Sequence, residues 1–503
     1  MTNASFDLKG RARQAMVDAG FKPDFPPEVS REVQLMPQQA PGSAVAFRDL
    51  RALLWSSIDN ETSRDLDQVE YAEKLPTGGV RLLIGIADVD SSVRKGSATD
   101  QYAATETTSV YTGVTVFPML PNELSTNLTS LVDAEDRASL VIELHVQDSG
   151  EVDHHDVYLA LIRNRAKLAY PSTGAWLEGR GPMPQAIANV PGMEAQLRLQ
   201  VETSNKLRGI RKQQGALTFG SIEATPVVEN DTIKDLVLRQ HNAAEDIIES
   251  FMVAANVALA QYLKEKRSLS IRRVVKTPQR WDRIQALAAR YGTKIPDAPD
   301  QRALSVFLEQ RKAADPDHFP DLSLSIVKLL GPGEYIVETP GTEREGHFGL
   351  AVHDYTHSTA PNRRFADLVT QRLIKAVMDR HPAGERQPSI SSSADAPGGA
   401  APYSATELSQ IATRCTERED AARKVERLMR KVAAACLLNR RLGESFDGII
   451  TGASPKGTYV RLLKFPAEGR IVKGANGCDV GDKVQVRLIS VEIAKGFIDF
   501  ERR

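Results

Sequence analysis

The order of apolar and polar positions divides the chain into regions of different character. The runs RLLIGIADV (81–89) and ASLVIELHV (138–146) are apolar and β-branched and predict strands. Ile248, Met252, Ala255, Leu259 and Leu263 recur instead at the spacing of one helix face. From residue 44 to about 377 such strands and helices mix without a low-complexity break, which predicts one large mixed α/β (α+β) domain. Residues 1–43 read as a short lead-in with one helix near residues 6–19, after which Pro23, Pro26 and Pro27 are expected to break any helix. The stretch PAGERQPSISSSADAPGGAAP, from Pro382, is too poor in apolar bulk to order itself and predicts a mobile loop at 382–403. A helix is expected over 406–438. Residues 443–503 then change to short alternating runs, with Val484, Val486 and Leu488 on one face and glycine turns between runs, the pattern of a five-stranded OB-type barrel.

Composition narrows the class. At 503 residues, 41% hydrophobic and 26% charged, the chain has room for two to four domains and a large core. The opening MTNASFDLKGRARQAM has no apolar targeting stretch, and no apolar run reaches the length of a bilayer span, so a cytoplasmic location is expected. Cys415, Cys436 and Cys478 lie far apart, which argues against a disulfide framework and a cysteine-rich zinc site. The net charge of −1 is not that of a basic nucleic-acid binder, but charge is segregated: residues 411–441 hold nine Lys/Arg against four Asp/Glu, whereas 59–90 is acid-rich.

Two constellations carry candidate chemistry. In SSIDNETSRDLDQ (56–68), Asp59, Asp65 and Asp67 follow an apolar run and a turn, and can converge on one point as oxygen ligands for a hard cation. A solvated acidic loop partly neutralised by Arg64 fits the spacing as well. An EF-hand does not, because Arg64 stands where the turn glycine belongs. In HFGLAVHDYTHSTAPNRRFADLVTQRL (347–373), Arg363 and Arg364 follow a Pro361 turn and precede a helical pattern. They suit either a phosphate clamp or a helix-start ion pair with Asp367.

Together these stretches resemble the signatures of the RNB (ribonuclease II/R) exoribonucleases. IDNETSRDLDQ resembles that family's metal-binding signature, and YTHSTAPNRRFADLVTQRL resembles its YTHFTSPIRRYADLxxHRL. SVYTGVTVFPMLPNELSTNLTSL and HFGLA lie between them in the expected order, and the closing barrel is similar to an S1 domain. The resemblance implies processive 3′-to-5′ hydrolysis of single-stranded RNA to nucleoside 5′-monophosphates, with Mg²⁺, or Mn²⁺ in its place. It implies Asp59, Asp65 and Asp67 as metal-holding residues, with Gln68 in the position of the family's usual fourth aspartate. Asp67, Arg363 and Arg364 would be catalytic, and Tyr111, Tyr170, Phe219, Glu249 and, on the barrel, Tyr459 would contact RNA. A monomer with single-stranded RNA as partner is expected, without membrane or DNA. Too few residues precede the RNB region for the family's usual cold-shock barrels, so a more open, salt-sensitive grip on RNA is expected. Ala360 and Asn362 replace a serine and an isoleucine of the signature. Gln68 leaves a rival open, a degenerate RNB protein that binds RNA without cutting it; a hydrolase of small phosphate esters is a more distant alternative.

Overall fold

The computed structural model describes residues 6–36, 47–220, 223–229, 232–239, 241–316, 318–342, 345–380, 401–454 and 457–503. Most of the predicted loop, 382–400, lies outside these residues. Helix α1 (Leu8–Asp18) starts under Asp7, whose carboxylate accepts from the Gly10 N–H at 2.8 Å, and buries Leu8, Ala12, Ala15 and Met16 on one face. A second helix, α2 (Pro27–Gln34), corrects the sequence reading. Pro27 does not stop a helix but opens one, because a first-turn residue needs no N–H donor and proline's fixed φ suits that position.

The central sheet takes in β1 (Arg48–Asp49), β2 (Trp55–Asp59), β3 (Gln68–Lys74) and β4 (Val80–Ala87). After α3 (Ala98–Glu106) and the small hairpin β5 (Val110–Tyr111) and β6 (Val116–Phe117) come β7 (Asp136–Val146) and β8 (Val152–Ala169). The strand order is β1-β8-β2-β3-β4-β7, with β7 paired again to β8. The 18-residue length of β8 allows this: its first part pairs antiparallel with β7 and its last residues run parallel to β2, completing a circuit of pairings. Trp55, Ile58, Leu82, Leu83, Ile84 and Ile86 are fully buried. Both faces of β4 are covered, which is why it reads as a continuous apolar run and not an alternating one.

Beyond β8 the chain continues through α4 (Tyr170–Leu177), α5 (Gln185–Ala188), α6 (Met193–Gln214), the hairpin β9 (Glu223–Glu229) and β10 (Thr232–Arg239), and α7 (Ala243–Glu265). The Gln196 amide of α6 bonds both the N–H and the C=O of Ala72, at 2.9 and 2.5 Å, fixing that helix to β3. Asn242 and Glu245 form a capping box at the start of α7, whose predicted stripe is the buried face. β11 (Ser270–Val274) and β12 (Glu334–Glu338) pair antiparallel. Between them α8 (Trp281–Arg290), α9 (Gln301–Ala314) and α10 (Phe319–Leu330) enclose a small core that includes Trp281, Phe307 and Ile326.

α11 (Phe365–Arg380) is buried on nearly every side through Leu373 and Ile374. α12 (Ala405–Leu438) joins two cores: Leu408, Ala412 and Cys415 pack into the sheet domain, while Val425, Met429 and Leu438 pack with α1 and the C-terminal barrel. That barrel, β13 (Ser445–Ser454), β14 (Gly457–Leu462), β15 (Glu468–Lys473), β16 (Lys483–Glu492) and β17 (Phe497–Arg502), closes in the order β13-β14-β15-β17-β16. The predicted loop extends too far at its C-terminal end, since Tyr403 is 3% exposed and its hydroxyl accepts from Arg372 at 2.7 Å.

Arg372 is itself buried and fully committed: Nε to Asp90 at 2.9 Å, Nη1 to Asp100 at 2.7 Å and Nη2 to the Val93 carbonyl at 2.6 Å. Replacing it by alanine leaves the buried Asp100 without its guanidinium and Asp90, 22% exposed, with Lys375 at 3.4 Å as its remaining cation. Arg372→Ala should lower the free energy of unfolding by about 3–5 kcal/mol, read as a lower urea midpoint; an unchanged midpoint would show that these ion pairs contribute nothing net.

Candidate active site

The acidic cluster hangs from the end of the sheet. Asp59 is the last residue of β2, and its Oδ1 accepts from the Asn60 N–H at 2.6 Å and the Ser63 hydroxyl at 3.0 Å, so the predicted turn closes on its own first carboxylate. Ser130 pins the rest of the turn, accepting from the Leu66 N–H at 3.0 Å and donating to the Arg64 carbonyl at 2.7 Å. Asp65 accepts from the Tyr111 hydroxyl at 2.9 Å. Asp67, immediately before β3, is only 2% exposed. Burial pushes its pKa up to about 7 against the opposing pull of Arg363 and the Asn362 N–H, with Asp65 and Asp367 adding repulsion. Burial also raises Asp59.

The arginine signature reaches the same place. The Asn362 N–H donates to Asp67 Oδ1 at 2.9 Å, across 295 positions of sequence, and Arg363 Nε lies 3.4 Å from Asp67 Oδ2. The second contact is an ion pair without a hydrogen bond, so Oδ2 has no hydrogen-bond partner. Backbone bonds hold the turn against the β5 region, from the Ser109 N–H to the Arg363 carbonyl at 3.0 Å and from the Phe365 N–H to the Thr107 carbonyl at 2.9 Å. The two arginines then part company. Arg364 bonds Asp367 at 2.6 Å, the helix-start ion pair, and the same carboxylate accepts from the Ala360 N–H at 2.8 Å. Arg363 is 43% exposed and faces the acids. Asn362 is put to use by its side chain, which accepts from the Thr129 hydroxyl at 2.5 Å.

Beneath the arginines lies a column that sequence reasoning passed over. Tyr335, His357, Tyr355 and His347 make successive edge-on ring contacts at 5.4–5.8 Å, and the Tyr335 hydroxyl meets His357 Nδ1 at 2.7 Å. Burial, then Arg364 and Arg273, hold His357 well below its usual pKa; burial and Arg273 hold His347 down to about 4. Two neutral histidines thus sit under two guanidinium groups. The two histidines lie inside the quoted HFGLAVHDYTH stretch, but nothing in their spacing shows that Tyr335 would join them.

The other predicted residues are spread more widely. Gln68 opens β3 at 8% exposure, beside Asp67. Tyr170 follows directly on Ala169, the register partner of Asp59, which brings it to the same end of the sheet. Tyr111 stands over Asp65. Phe219 packs against the α8–α10 cluster. Glu249 is exposed on α7, where its carboxylate, that of Asp246 and the His241 ring lie within 4.8 Å of one another; Arg208 already pairs with Asp246 there. Tyr459 stands 38% exposed on the barrel strand β14. Sequence reading also missed Glu70, a fully buried acid on β3 whose QVEYAEK context looks like an ordinary half-exposed strand.

Asp59, Asp65 and Asp67 lie close enough to influence one another's charge, Asp67 keeps one oxygen without a donor, and Arg363 only partly offsets them; the group whose candidate ligand atoms lie within 4.8 Å of one another among the described residues is instead His241, Asp246 and Glu249. The donor chemistry of the three aspartates, all oxygen and net negative, is that of a hard divalent cation and not of a soft metal.

An α/β domain with a carboxylate–arginine centre, tied by one long helix to an OB-type barrel, defines the class. The chain belongs to the RNB family: the RNB domain model matches residues 47–380, and the model of the RNase II-type exonuclease C-terminal S1 domain matches 444–503. Ribonuclease R of Thermotoga maritima is 29% identical over 463 residues, covering 89% of this chain and 61% of the relative. Ribonuclease R of Escherichia coli is 28% identical over 503 residues, covering 95% and 60%. The chain thus spans about three fifths of the length of these relatives. The apo form of Mycoplasma genitalium RNase R superposes with a TM-score of 0.83 at 22% identity, over 99% of this chain and 78% of that one. Yeast Ssd1, described as a pseudonuclease, superposes at 0.68 and 16% identity, over 92% and 55%.

The depressed His347 gives a pH prediction. Its folded form stays neutral down to about pH 4, while the unfolded form protonates near 6.5, so its contribution to stability is complete above about pH 6.5 and is lost as pH falls toward 4. His347→Asn keeps an acceptor for the Leu350 N–H, now at 3.1 Å from Nδ1, and removes the titration. The drop in urea midpoint between pH 7 and pH 5 should shrink in this variant; an equally steep drop would exclude His347 as a source.

Proposed function

We propose that this chain is a processive 3′-to-5′ exoribonuclease that hydrolyses single-stranded RNA to nucleoside 5′-monophosphates, with Mg²⁺ as its ion and Mn²⁺ as a substitute. Nucleases of the RNB family depend on divalent metal ions, and neighbouring carboxylates short of donors offer the oxygen ligands such an ion takes. The observation that carries the reading is Asp67, buried yet held by only one backbone N–H and an incomplete ion pair with Arg363. Without a cation or substrate to face, that arrangement has no physical justification.

Bound metal supplies Lewis-acid stabilisation of the phosphate and a more acidic water. Asp59, Asp65 and Asp67 are the residues to hold it, with Tyr111 orienting Asp65 through the hydroxyl hydrogen bond. Arg363, half exposed and loosely paired, is free to donate its planar fork to a phosphate, while Arg364, committed to Asp367, holds the turn in shape. Stacking on Tyr170 and Phe219, and on Tyr459 of the barrel, would grip RNA without regard to sequence. Glu249 would accept from a ribose 2′-OH and so disfavour DNA. RNA-bound structures of Mycoplasma genitalium RNase R, with single-stranded and with double-stranded RNA, support RNA as the partner. A monomer in the cytoplasm completes the reading; among the described residues no helix is long and apolar enough to cross a membrane.

The same fold serves a pseudonuclease, so the side chains must decide, and Asp67 and Asp59 acting on Arg363 favour cutting over mere binding. Incubating 5′-labelled oligoRNA and oligoDNA with Mg²⁺ or Mn²⁺ tests this. A ladder shrinking to a short limit product with RNA alone is expected, slowed at least about 100-fold in Asp67→Asn. Tight RNA binding with no cleavage under either metal would establish the non-cutting rival, and phosphate release from mononucleotides without shortening of RNA would point to a small-ester hydrolase. Gln68→Asp should lower the Mg²⁺ concentration giving half-maximal rate, since an added acid strengthens the field at the ion; an unchanged requirement would refute that account of Gln68.

A further inference from the structure

The last two turns of α6 carry Arg208 and Arg211, and their surroundings differ. Arg208 is committed, its Nη1 bonding Asp246 at 2.5 Å. Arg211 is partly buried, and among the described residues no carboxylate comes within ion-pair distance of it. Its Nη2 reaches only the Ser250 hydroxyl, at a long 3.4 Å, and its Nε is buried without a partner. Burial lowers its pKa, and the nearby charge of Glu249 does not make up the difference. An arginine so placed still carries its proton at neutral pH. The C-terminal turn of α6 favours a cation by about 0.3–1 kcal/mol, which is too little to replace the water that a guanidinium gives up.

Its neighbours say what would satisfy it. Arg211 is close enough for its charge to act on Tyr355, in the ring column beneath the arginine turn, and Tyr355 feels the charge of Arg364 as well. On α7 its nearest opposing charge is Glu249, the residue read above as a ribose contact. A strand whose end lies at Arg363 and whose ribose meets Glu249 brings further phosphates past this guanidinium, and a phosphate offers the paired oxygens that its planar fork fits. The positive charges of Arg208 and Arg211 also oppose a cation among His241, Asp246 and Glu249, although their ligand atoms lie within 4.8 Å of one another. We propose that Arg211 binds a backbone phosphate of the RNA strand, upstream of the scissile one and beside the ribose at Glu249. The assignment rests on the exoribonuclease reading given above, in which single-stranded RNA passes Glu249.

The test follows the anisotropy of a 5′-fluorescein-labelled oligoRNA bound to the full chain in EDTA, where binding is read without cutting, over a series of NaCl concentrations. Arg211→Gln should bind about tenfold more weakly, and the slope of log K against log salt should become shallower by about 0.7, the value for one lost phosphate contact to a single strand. Arg211→Lys should keep the slope, since it keeps the charge. The urea midpoint of Arg211→Gln should equal or exceed that of the unaltered chain, because the variant removes a poorly compensated cation. Arg208→Gln should do the reverse, with a lower midpoint and an unchanged slope, because its partner is Asp246. An unchanged slope in Arg211→Gln, affinity within twofold of the unaltered chain, or a midpoint lowered as in Arg208→Gln would overturn the assignment and leave the exoribonuclease reading in place. No binding of the oligoRNA by the unaltered chain, or binding without shortening when Mg²⁺ or Mn²⁺ is added, would overturn that reading, and the assignment with it.

Discussion

Everything at the site depends on a carboxylate that should not be comfortable where it is. Asp67 is almost wholly withdrawn from water, and the two groups that meet it come from a turn almost three hundred residues further along the chain. Bringing a carboxylate into a protein interior costs several kcal/mol unless donors or cations replace its water. One N–H at 2.9 Å and a guanidinium at 3.4 Å do so only in part, and its pKa rises accordingly. The rest of the architecture can be read as what is required to hold that unfavourable arrangement in place.

Two supports do the holding. On the acid side, the residues hang from the ends of paired strands: Asp59 closes β2 in register with Ala169, and Asp67 leads into β3, its carbonyl accepting from the Ala87 N–H at 2.9 Å. Strand ends in a fully buried sheet move little, so the carboxylates are placed by the sheet and not by the loop between them. On the arginine side, Asp367 ties the turn together by accepting from both Ala360 and Arg364, and α11 behind it is buried through most of its length. The neutral histidines below add no further positive charge to a region already holding Arg363, Arg364 and Arg273.

Much of this was legible in the sequence because it rests on local pattern. The apolar runs of β4 and β7, the stripe of α7, the alternation of the barrel and the two signature stretches each announce themselves within a dozen residues. What was not legible depends on partners distant in sequence. Nothing in residues 152–169 tells that one strand pairs β7 with one part and β2 with the other. Pro27 looked like a breaker because proline ends helices and begins them, and only what precedes and follows in space decides which. Tyr403 belonged by composition to a Pro/Gly/Ser stretch, yet Arg372 and the main core claim it. Arg363 and Arg364 are neighbours that sequence treats alike, and Asp367 separates them by taking one.

That separation gives the pair a division of labour that identical side chains would not otherwise have. A guanidinium held by a short hydrogen-bonded ion pair cannot turn to a substrate without leaving a buried acid unpaired, which is the position of Arg364 with Asp367 at 0% side-chain exposure. Arg363 is held more loosely. It too faces a buried acid, but its contact with Asp67 lacks hydrogen-bond geometry and its side chain is 43% exposed, so moving away from Asp67 forfeits a Coulomb attraction and no hydrogen bond. Under the proposed function, a divalent ion among the acids would replace that attraction with a stronger one and leave the Arg363 fork for the phosphate. The weak contact between Asp67 and Arg363 is then suited to the task because it is weak: it orients the arginine toward the acids in the absence of ligand and yields when ligand arrives.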